Sequence, residues 1–235
     1  MRLGHRAMIF IAFLSLSLAL ARAQTSQTQP AATPTLKPGV VVEKIARYSE
    51  SEKAGLAEGD ILLRWNRDDA NGEIQSSFDL ASIEIEQAPR GIVTVEGLRG
   101  GEKKTWLLGQ DTWGVQARPN FSEALVTVYR EGQELAAGKL NEAAERWRMV
   151  AGQINTSNPQ RLRAWLFFHI AEMQTEGRHW QEADEAYQEA VQSGTNAGPG
   201  VESQILRAWG RTFEQRSDWP MPSNTTGRRC QGTRT

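Results

Sequence analysis

Hydrophobic residues change their spacing along the chain at about Pro119. Before that proline, β-branched runs are separated by glycine-containing turns, and these runs cover residues 40–45, 61–65, 92–95 and 105–108. After it, apolar residues recur every three or four positions, which is the period of an amphipathic helix. The pattern predicts an α+β module over residues 38–119, followed by an all-α region over residues 120–219.

Turn signals divide the first half of the module into two strands and a short helix. After the strand at residues 40–45, a helical turn ends at Gly55, and a tight turn around Gly59 precedes the second strand. Both glycines are expected to adopt positive φ angles, which other residues avoid. Residues 68–77 are polar and contain Asn71-Gly72, so they are predicted to form a loop.

The second half of the module is predicted to contain a helix and a β-hairpin. The helix stops before Pro89, because a residue that precedes proline disfavours the helical conformation. Its apolar residues are Phe78, Leu80, Ile83 and Ile85. Gly100-Gly101 lies between two β-rich runs, which is typical of a hairpin turn.

The order of these segments resembles that of a bacterial PDZ domain. The resemblance is carried by residues 39–42, by Ala54-Gly55-Leu56 and by Gly59-Asp60-Ile61. It covers about 80 residues and implies a small β-barrel or sandwich with two helices. Members of that family bind peptide C-termini, so the resemblance also implies a peptide partner that adds to the sheet as an extra strand.

The loop that would hold a peptide carboxylate departs from the pattern of that family. In bacterial members, a loop with a central glycine precedes the first strand, but residues 24–38 contain no such loop. The candidate in this chain is Trp113-Gly114-Val115. Either this segment closes the sheet and offers backbone N–H groups to a carboxylate, or its two apolar residues are packing residues of a last strand. In the first case, the apolar wall of the site consists of Phe78, Leu80 and Ile83.

The all-α region is predicted to consist of paired helices with an internal repeat. The spacing from Gly138 to Gly177 is 39 positions, and the spacing from Trp180 to Trp219 is also 39. A fixed period with two helices in each unit predicts a solenoid, in which each helical pair packs on the next.

Two turns in this region resemble those of tetratricopeptide (TPR) repeats, at residues 138–143 and 177–183. In that family a small residue ends the first helix of a pair, and an alanine packs the second helix. The usual period is about 34 residues, so this chain is expected to have longer loops between repeats. The resemblance implies a protein partner along the concave face of the first helices, where the candidate residues are Tyr129, Arg130, Gln133, Arg163, His169 and Glu172.

The N-terminal segment has the composition of an export signal. Residues 1–23 contain a positively charged start, an apolar stretch and Ala21-Arg22-Ala23 before a cleavage point, which is the layout of a secretory signal peptide. The alternative is an uncleaved signal anchor. We therefore expect an exported protein, periplasmic or secreted, with no membrane span beyond the signal peptide. Residues 24–37 are predicted to be a disordered linker.

Residues 220–235 are predicted to be a disordered tail, because they are polar, contain prolines and have no helical period. A TPR array would continue with a second helix at this point. A shifted reading frame can encode a helix-like string from Trp219 onward, which favours a frameshifted and truncated member of a longer array. The alternative is an ordinary disordered tail.

Composition narrows the function classes. The 235 residues include 27 basic and 28 acidic side chains, and this balance argues against a nucleic-acid partner. A single cysteine, Cys230, excludes a disulfide framework and a cysteine-ligated zinc site. His169 and His179 lie in the predicted repeats, where packed or solvated histidines are expected. We expect no catalytic residue, no metal and no cofactor, because the chain contains no recognisable catalytic or phosphate-binding motif.

These features together predict a non-enzymatic, extracytoplasmic scaffold. Its PDZ-like module would bind peptide termini, and its TPR-like repeats would bind a protein partner. The alternative is that the chain is the truncated regulatory N-terminal region of a longer protease of the CHAT or trypsin-like type.

Overall fold

The fold is described by a computed structural model that covers residues 36–154, 159–198 and 200–216. These residues all belong to one compact unit. The predicted signal peptide at residues 1–23 and the predicted tail at residues 220–235 lie outside the described residues, as does all of the predicted linker up to residue 35.

Six strands form one antiparallel sheet in the first half of the described chain. In chain order they are β1 (Leu36–Ile45), β2 (Ile61–Arg67), β3 (Ala70–Glu73), β4 (Val93–Arg99), β5 (Glu102–Leu108) and β6 (Val115–Phe121). The sheet order is β5-β4-β2-β1-β6, and the short strand β3 pairs with β2. Strand β6 therefore lies at one edge, beside the first strand of the chain.

The prediction of a loop at residues 68–77 was wrong, because strand β3 lies within this segment. Asn66 pairs with Asn71 and Arg67 pairs with Ala70, so the chain reverses at Asp68 and Asp69 instead of at Asn71-Gly72. Asp68 has a φ of 50°, a left-handed conformation that aspartate tolerates better than most residues do. A short polar strand at a sheet edge has no alternating apolar pattern, so its sequence predicts a loop instead of a strand.

Strand β1 also begins earlier than the composition indicated. The linker was predicted to extend to residue 37, but Leu36 pairs with Phe121 at the start of the strand. Leu36 is packed against the hydrophobic core of the helical region. One apolar residue after a polar, proline-containing segment is too weak a pattern to predict a strand.

Within the described ranges, seven α-helices accompany the sheet. Two lie within the module, α1 (Glu50–Lys53) and α2 (Ser77–Glu86), and a 3₁₀ turn (Ala88–Arg90) follows α2. The other five are α3 (Glu123–Leu135), α4 (Leu140–Gln153), α5 (Pro159–Glu176), α6 (Trp180–Gly194) and α7 (Val201–Gln215). The prediction of an α+β module followed by an all-α region is thereby confirmed.

Local sequence signals explain where several helices begin. Ser76 and Asp79 form a capping box at the start of α2, in which each side chain accepts a hydrogen bond from the other residue's backbone N–H. Pro159 is the first residue of α5, a position where the missing N–H of proline costs nothing. Gly55 and Gly59 have φ angles of 76° and 88°, so both predicted left-handed glycines are present.

Two hydrophobic cores hold the structure together. One lies in the module and includes Val40, Leu62, Val93, Leu108 and Trp113. The other is built mainly from the helices, but it also includes Phe78 and Phe121 of the module. The module therefore contributes residues to the core of the helical array and packs against it. Among the described helices, none is both long and apolar enough to cross a membrane.

Candidate functional site

Helix α2 of the module packs directly on the helical array. The rings of Phe78 in α2 and Phe168 in α5 lie 5.7 Å apart between centroids. The side-chain amide of Gln204 in α7 donates hydrogen bonds to the backbone oxygen of Phe78 at 3.1 Å and to the hydroxyl of Ser82 at 2.8 Å. Two of the first helices of the predicted pairs, α5 and α7, thus hold the same helix of the module.

An arginine of the array joins the capping box of α2. The Nε of Arg161 donates to the Ser76 hydroxyl at 2.9 Å, and its Nη2 forms an ion pair with the Asp79 carboxylate. Asp79 also accepts from the backbone N–H of Ser76 at 2.9 Å. The carboxylate that caps α2 is therefore the same group that binds the array, which fixes the start of the helix and its docking together.

The predicted carboxylate loop lies beside α2, but its first N–H is already bonded. Gly114 has a φ of 64°, as a turn that presents N–H groups requires. The backbone N–H of Trp113, however, donates to Oε1 of Glu84 in α2 at 2.9 Å. The indole of Trp113 is buried, and its Nε1 donates to the backbone oxygen of Gly109 at 2.9 Å. An internal carboxylate thus occupies one of the donors that a peptide terminus would need.

The predicted apolar wall does not form one open pocket. Phe78, Leu80 and Ile83 are all buried, and no more than 5% of any of these residues is exposed. Phe78 belongs to the core of the helical array, whereas Leu80 and Ile83 belong to the core of the module. Val115 pairs with Ile45 at the start of β6. The geometry favours the second of the two interpretations, in which Trp113 and Val115 are packing residues of a last strand.

The predicted concave-face residues Tyr129, Gln133 and His169 meet in a hydrogen-bonded network that also contains two residues of the module. The Tyr129 hydroxyl donates to Glu43 at 3.1 Å, and the Gln133 amide donates to the same carboxylate at 3.1 Å. Arg118 forms an ion pair with Glu43 at 3.3 Å. The Tyr129 hydroxyl also lies 3.3 Å from Nε2 of His169. This network links strands β1 and β6 to helices α3 and α5.

Burial dominates the electrostatics of this network. It raises the pKa of Glu43 above its usual range, although the hydrogen bond from Tyr129 and the charge of Arg118 oppose the rise. Burial, together with the nearby Glu43 carboxylate, also raises the pKa of the Tyr129 hydroxyl. The phenol is therefore a permanent hydrogen-bond donor at neutral pH, which suits a structural role.

His169 is enclosed by aromatic rings. Its imidazole centroid lies 4.4 Å from that of Trp147 and 5.2 Å from that of Trp165, and the second pair is nearly parallel. Burial lowers the pKa of His169 from 6.5 to about 4, so the ring is neutral at physiological pH. Of the two states expected for this histidine, packed or solvated, these contacts fit the packed one.

Glu172 lies one turn beyond His169 in α5, and its side chain keeps contact with solvent. Desolvation by neighbouring atoms raises the pKa of its carboxyl to about 7, and the negative charge of Glu176 adds to the rise. Arg211 of α7 opposes the rise, which places its positive charge near the same carboxyl. Charged groups of α5 and α7 therefore face one another.

Four exposed side chains on this side of the array form what we call the polar strip: Gln133, Glu172, Glu176 and Arg211. They come from α3, α5 and α7, the first helices of the predicted pairs. Arg161 and Gln204, which hold the module, lie near the starts of α5 and α7, whereas the polar strip lies toward the helix ends.

The two remaining predicted concave-face residues lie elsewhere. Arg130 is exposed and lies near Arg118. Burial lowers the pKa of the Arg118 guanidinium, and the positive charge of Arg130 adds to that lowering. Arg163 points away from Glu172, because residues nine positions apart lie about half a turn from each other around a helix. Its Nε donates to the backbone oxygen of Ala151 at 3.2 Å, on the side of α5 that faces α4.

Sequence reasoning missed three residues of this region: Glu43, Arg118 and Arg211. Glu43 is the acidic residue that follows Val40-Val41-Val42 in the first β-rich run, and its charge at that place was the available signal. Nothing in the local sequence indicates that Glu43 meets Tyr129, which is 86 positions away. Within the described ranges, no group of three histidine, cysteine, aspartate or glutamate side chains is arranged to hold a metal ion.

The chain matches no family model, and no curated protein matches it significantly. The functional argument therefore depends on the geometry of the chain itself.

Proposed function

We propose that this protein is a non-enzymatic, exported scaffold that binds a protein partner across the polar strip. In this proposal, a PDZ-like module is fused to a TPR-like array of helical hairpins. The observation that carries it is that three successive first helices, α3, α5 and α7, bring charged and amide groups to one exposed face. Helical-hairpin arrays offer such faces to other proteins.

The chemistry of the polar strip indicates what kind of partner it suits. Glu172 and Glu176 attract a basic side chain, and Arg211 attracts an acidic one. Neither Glu176 nor Arg211 is needed for the packing of the hydrophobic cores. A partner segment that carries both charges, in the matching order, would therefore find complementary groups without displacing any core residue.

Recognition by the array has more support than recognition by the module. The Trp113 N–H is bonded to Glu84, and the wall residues Phe78, Leu80 and Ile83 are buried. A peptide terminus would have to displace the Glu84 carboxylate and open the α2 packing before it could bind. In this proposal the module positions the array, because Arg161 and Gln204 of the array bind helix α2 of the module.

A charge reversal on the polar strip tests this proposal. Glu172→Lys should abolish the capture of the partner from extracytoplasmic extracts, because it replaces a carboxyl with a pKa of about 7 by a permanent positive charge at the centre of the polar strip. Glu185→Lys is the matched control, since Glu185 is exposed on α6 and accepts a hydrogen bond from Gln181 of its own helix. Capture is measured by quantitative mass spectrometry with immobilised full-length protein.

The expected result is one or a few proteins that are captured by the wild type and by Glu185→Lys, but not by Glu172→Lys. Equal capture by all three proteins would overturn the proposal for the polar strip. Failure of the wild type to enrich any protein above an unrelated bait would overturn the scaffold function itself.

A further inference from the structure

An open cavity of about 530 Å³ lies on another side of the array, between the end of α4, the start of α5 and the end of α6. Six of its lining residues carry the argument: Arg148, Gln160, Arg163, Phe167, Gln192 and Asn196. Its volume falls in the range of cavities that hold small molecules or single side chains, which is roughly 300–1,000 Å³. None of these residues belongs to the polar strip.

The two arginines of the cavity differ in their charge balance. Arg148 forms an ion pair with Glu189 at 3.2 Å and lies 3.9 Å from Glu145, so its charge is compensated. Arg163 donates through Nε to the Ala151 carbonyl, which leaves its two Nη groups for other acceptors. Within the described ranges, no carboxylate lies within ion-pair distance of Arg163. Among the described residues that line the cavity, Arg163 is therefore a positive charge without an ion-pair partner.

The other groups in the cavity favour an organic anion over a bare ion. The side-chain amides of Gln160, Gln192 and Asn196 supply further donors and acceptors around Arg163. The half-buried ring of Phe167 supplies an apolar wall. A guanidinium fork fits a carboxylate with two parallel hydrogen bonds, and the phenyl ring accommodates the methylene groups that carry that carboxylate.

We propose that this cavity binds the carboxylate of a peptide segment from a protein partner, with Arg163 as the residue that holds it. The carboxylate is either that of an aspartate or glutamate side chain or that of a free C-terminus, since both present the same group to the guanidinium. The cavity contains no residue of the polar strip, so this proposal can be tested independently of the function proposed for that strip.

The test uses three short peptides of equal length and the uniformly ¹⁵N-labelled full-length protein. One peptide contains acidic side chains and an amidated terminus, the second is neutral with a free carboxyl terminus, and the third is neutral and amidated. Binding is followed by NMR through the backbone amide of Gly152 and the side-chain amide of Asn196, both of which line the cavity. At least one carboxylate peptide should shift both signals, and the third should shift neither.

Variants assign the binding to Arg163. Arg163→Gln removes the charge and should lower the affinity for the carboxylate peptides by about tenfold or more. Arg207→Gln, on the exposed surface of α7, should leave that affinity unchanged. Arg163→Lys keeps the charge without the fork and should give an intermediate affinity. Glu172→Lys should have no effect, which separates this site from the polar strip.

Three results would overturn the proposal. The first is equal binding of the amidated neutral peptide, and the second is unchanged affinity in a folded Arg163→Gln variant. The third is the absence of any shift at Gly152 and Asn196 in the wild type up to about 10 mM peptide. This last measurement needs no variant, so it decides the proposal even if Arg163→Gln does not fold.

Discussion

At the scale of single residues, hydrogen-bonded polar groups connect the two parts of the molecule. Glu43 of the module accepts hydrogen bonds from Tyr129 and Gln133 of α3, and His169 of α5 approaches the same tyrosine. A half-buried carboxylate such as that of Glu43 would be destabilising without such donors. The network therefore makes the position of β1 depend on α3 and α5.

The protonation of His169 provides a test of this packing. Its imidazole should titrate with a midpoint near pH 4 in the folded protein, because the surrounding rings exclude the water that would solvate its charge. The unfolded chain binds this proton at a higher pH, near 6.5. The contribution of His169 to stability is therefore complete above about pH 6.5 and is lost as the pH falls toward about 4.

The measurement is an NMR titration of the imidazole carbon-bound protons, with the His169 signals assigned by their loss in His169→Gln. A midpoint close to 6.5 would contradict the burial of this ring between Trp147 and Trp165. A second check is the pH dependence of urea unfolding, which should be shallower between pH 4 and pH 6.5 in His169→Gln than in the wild type.

At the scale of elements, glycines with positive φ set the turns around the sheet. Gly59 lies in the turn before β2 with a φ of 88°, and a Cβ at this position would meet no atom within 4 Å. Gly114 lies in the turn before β6 with a φ of 64°, and a Cβ there would lie 2.8 Å from the Cβ atoms of Ala46 and Ser49. The two positions therefore share the conformational requirement but differ in the space around them.

Alanine substitutions separate these two effects. Gly59→Ala should destabilise the protein by about 1 kcal/mol, from the left-handed backbone alone. Gly114→Ala should cost roughly 2–3 kcal/mol, because steric overlap is added to the same backbone strain. Urea denaturation of the full-length variants measures both values. Equal destabilisation, or a stable Gly114→Ala variant, would contradict the close packing of the turn before β6 against residues 46 and 49.

Some elements followed from the sequence, and others depended on contacts far along the chain. Helices α3 to α6 and the hairpin of β4 and β5 were predictable, because each has a local period or a turn signal. Strand β3 was not, because a short polar edge strand buries little apolar surface. The direction of Phe78 was not predictable either, since Leu80 and Ile83 of the same helix face a different core.

At the scale of the whole molecule, docking of α2 on the array determines which surfaces remain for a partner. The predicted peptide site at Trp113-Gly114-Val115 depended on α2 being free to line a groove. Instead, α2 is held by Arg161 and Gln204, and its Glu84 carboxylate bonds to Trp113. A resemblance in the order of motifs does not reveal such long-range contacts, so the candidate site could only be corrected by the structure.

Long-range contacts also determine which of the predicted concave-face residues of the array lie near one another. Four of the six predicted concave-face residues lie in the network or on the polar strip, namely Tyr129, Gln133, His169 and Glu172. Helical spacing alone would have excluded Arg163 from that set, because it lies about half a turn around α5 from Glu172. The participation of Glu43 and Arg118 required the pairing of the module with the array.

The most direct test of the central claim, that a protein partner binds across the polar strip, is site-specific photo-crosslinking in cells that produce the full chain. A photoreactive amino acid replaces Gln133 or Glu176 on the polar strip, or Gln188 on the exposed surface of α6 as the control. The proposal predicts crosslinks to the same discrete protein from positions 133 and 176, and none to that protein from position 188. Equally strong crosslinks from all three positions, or none from the two strip positions, would contradict it.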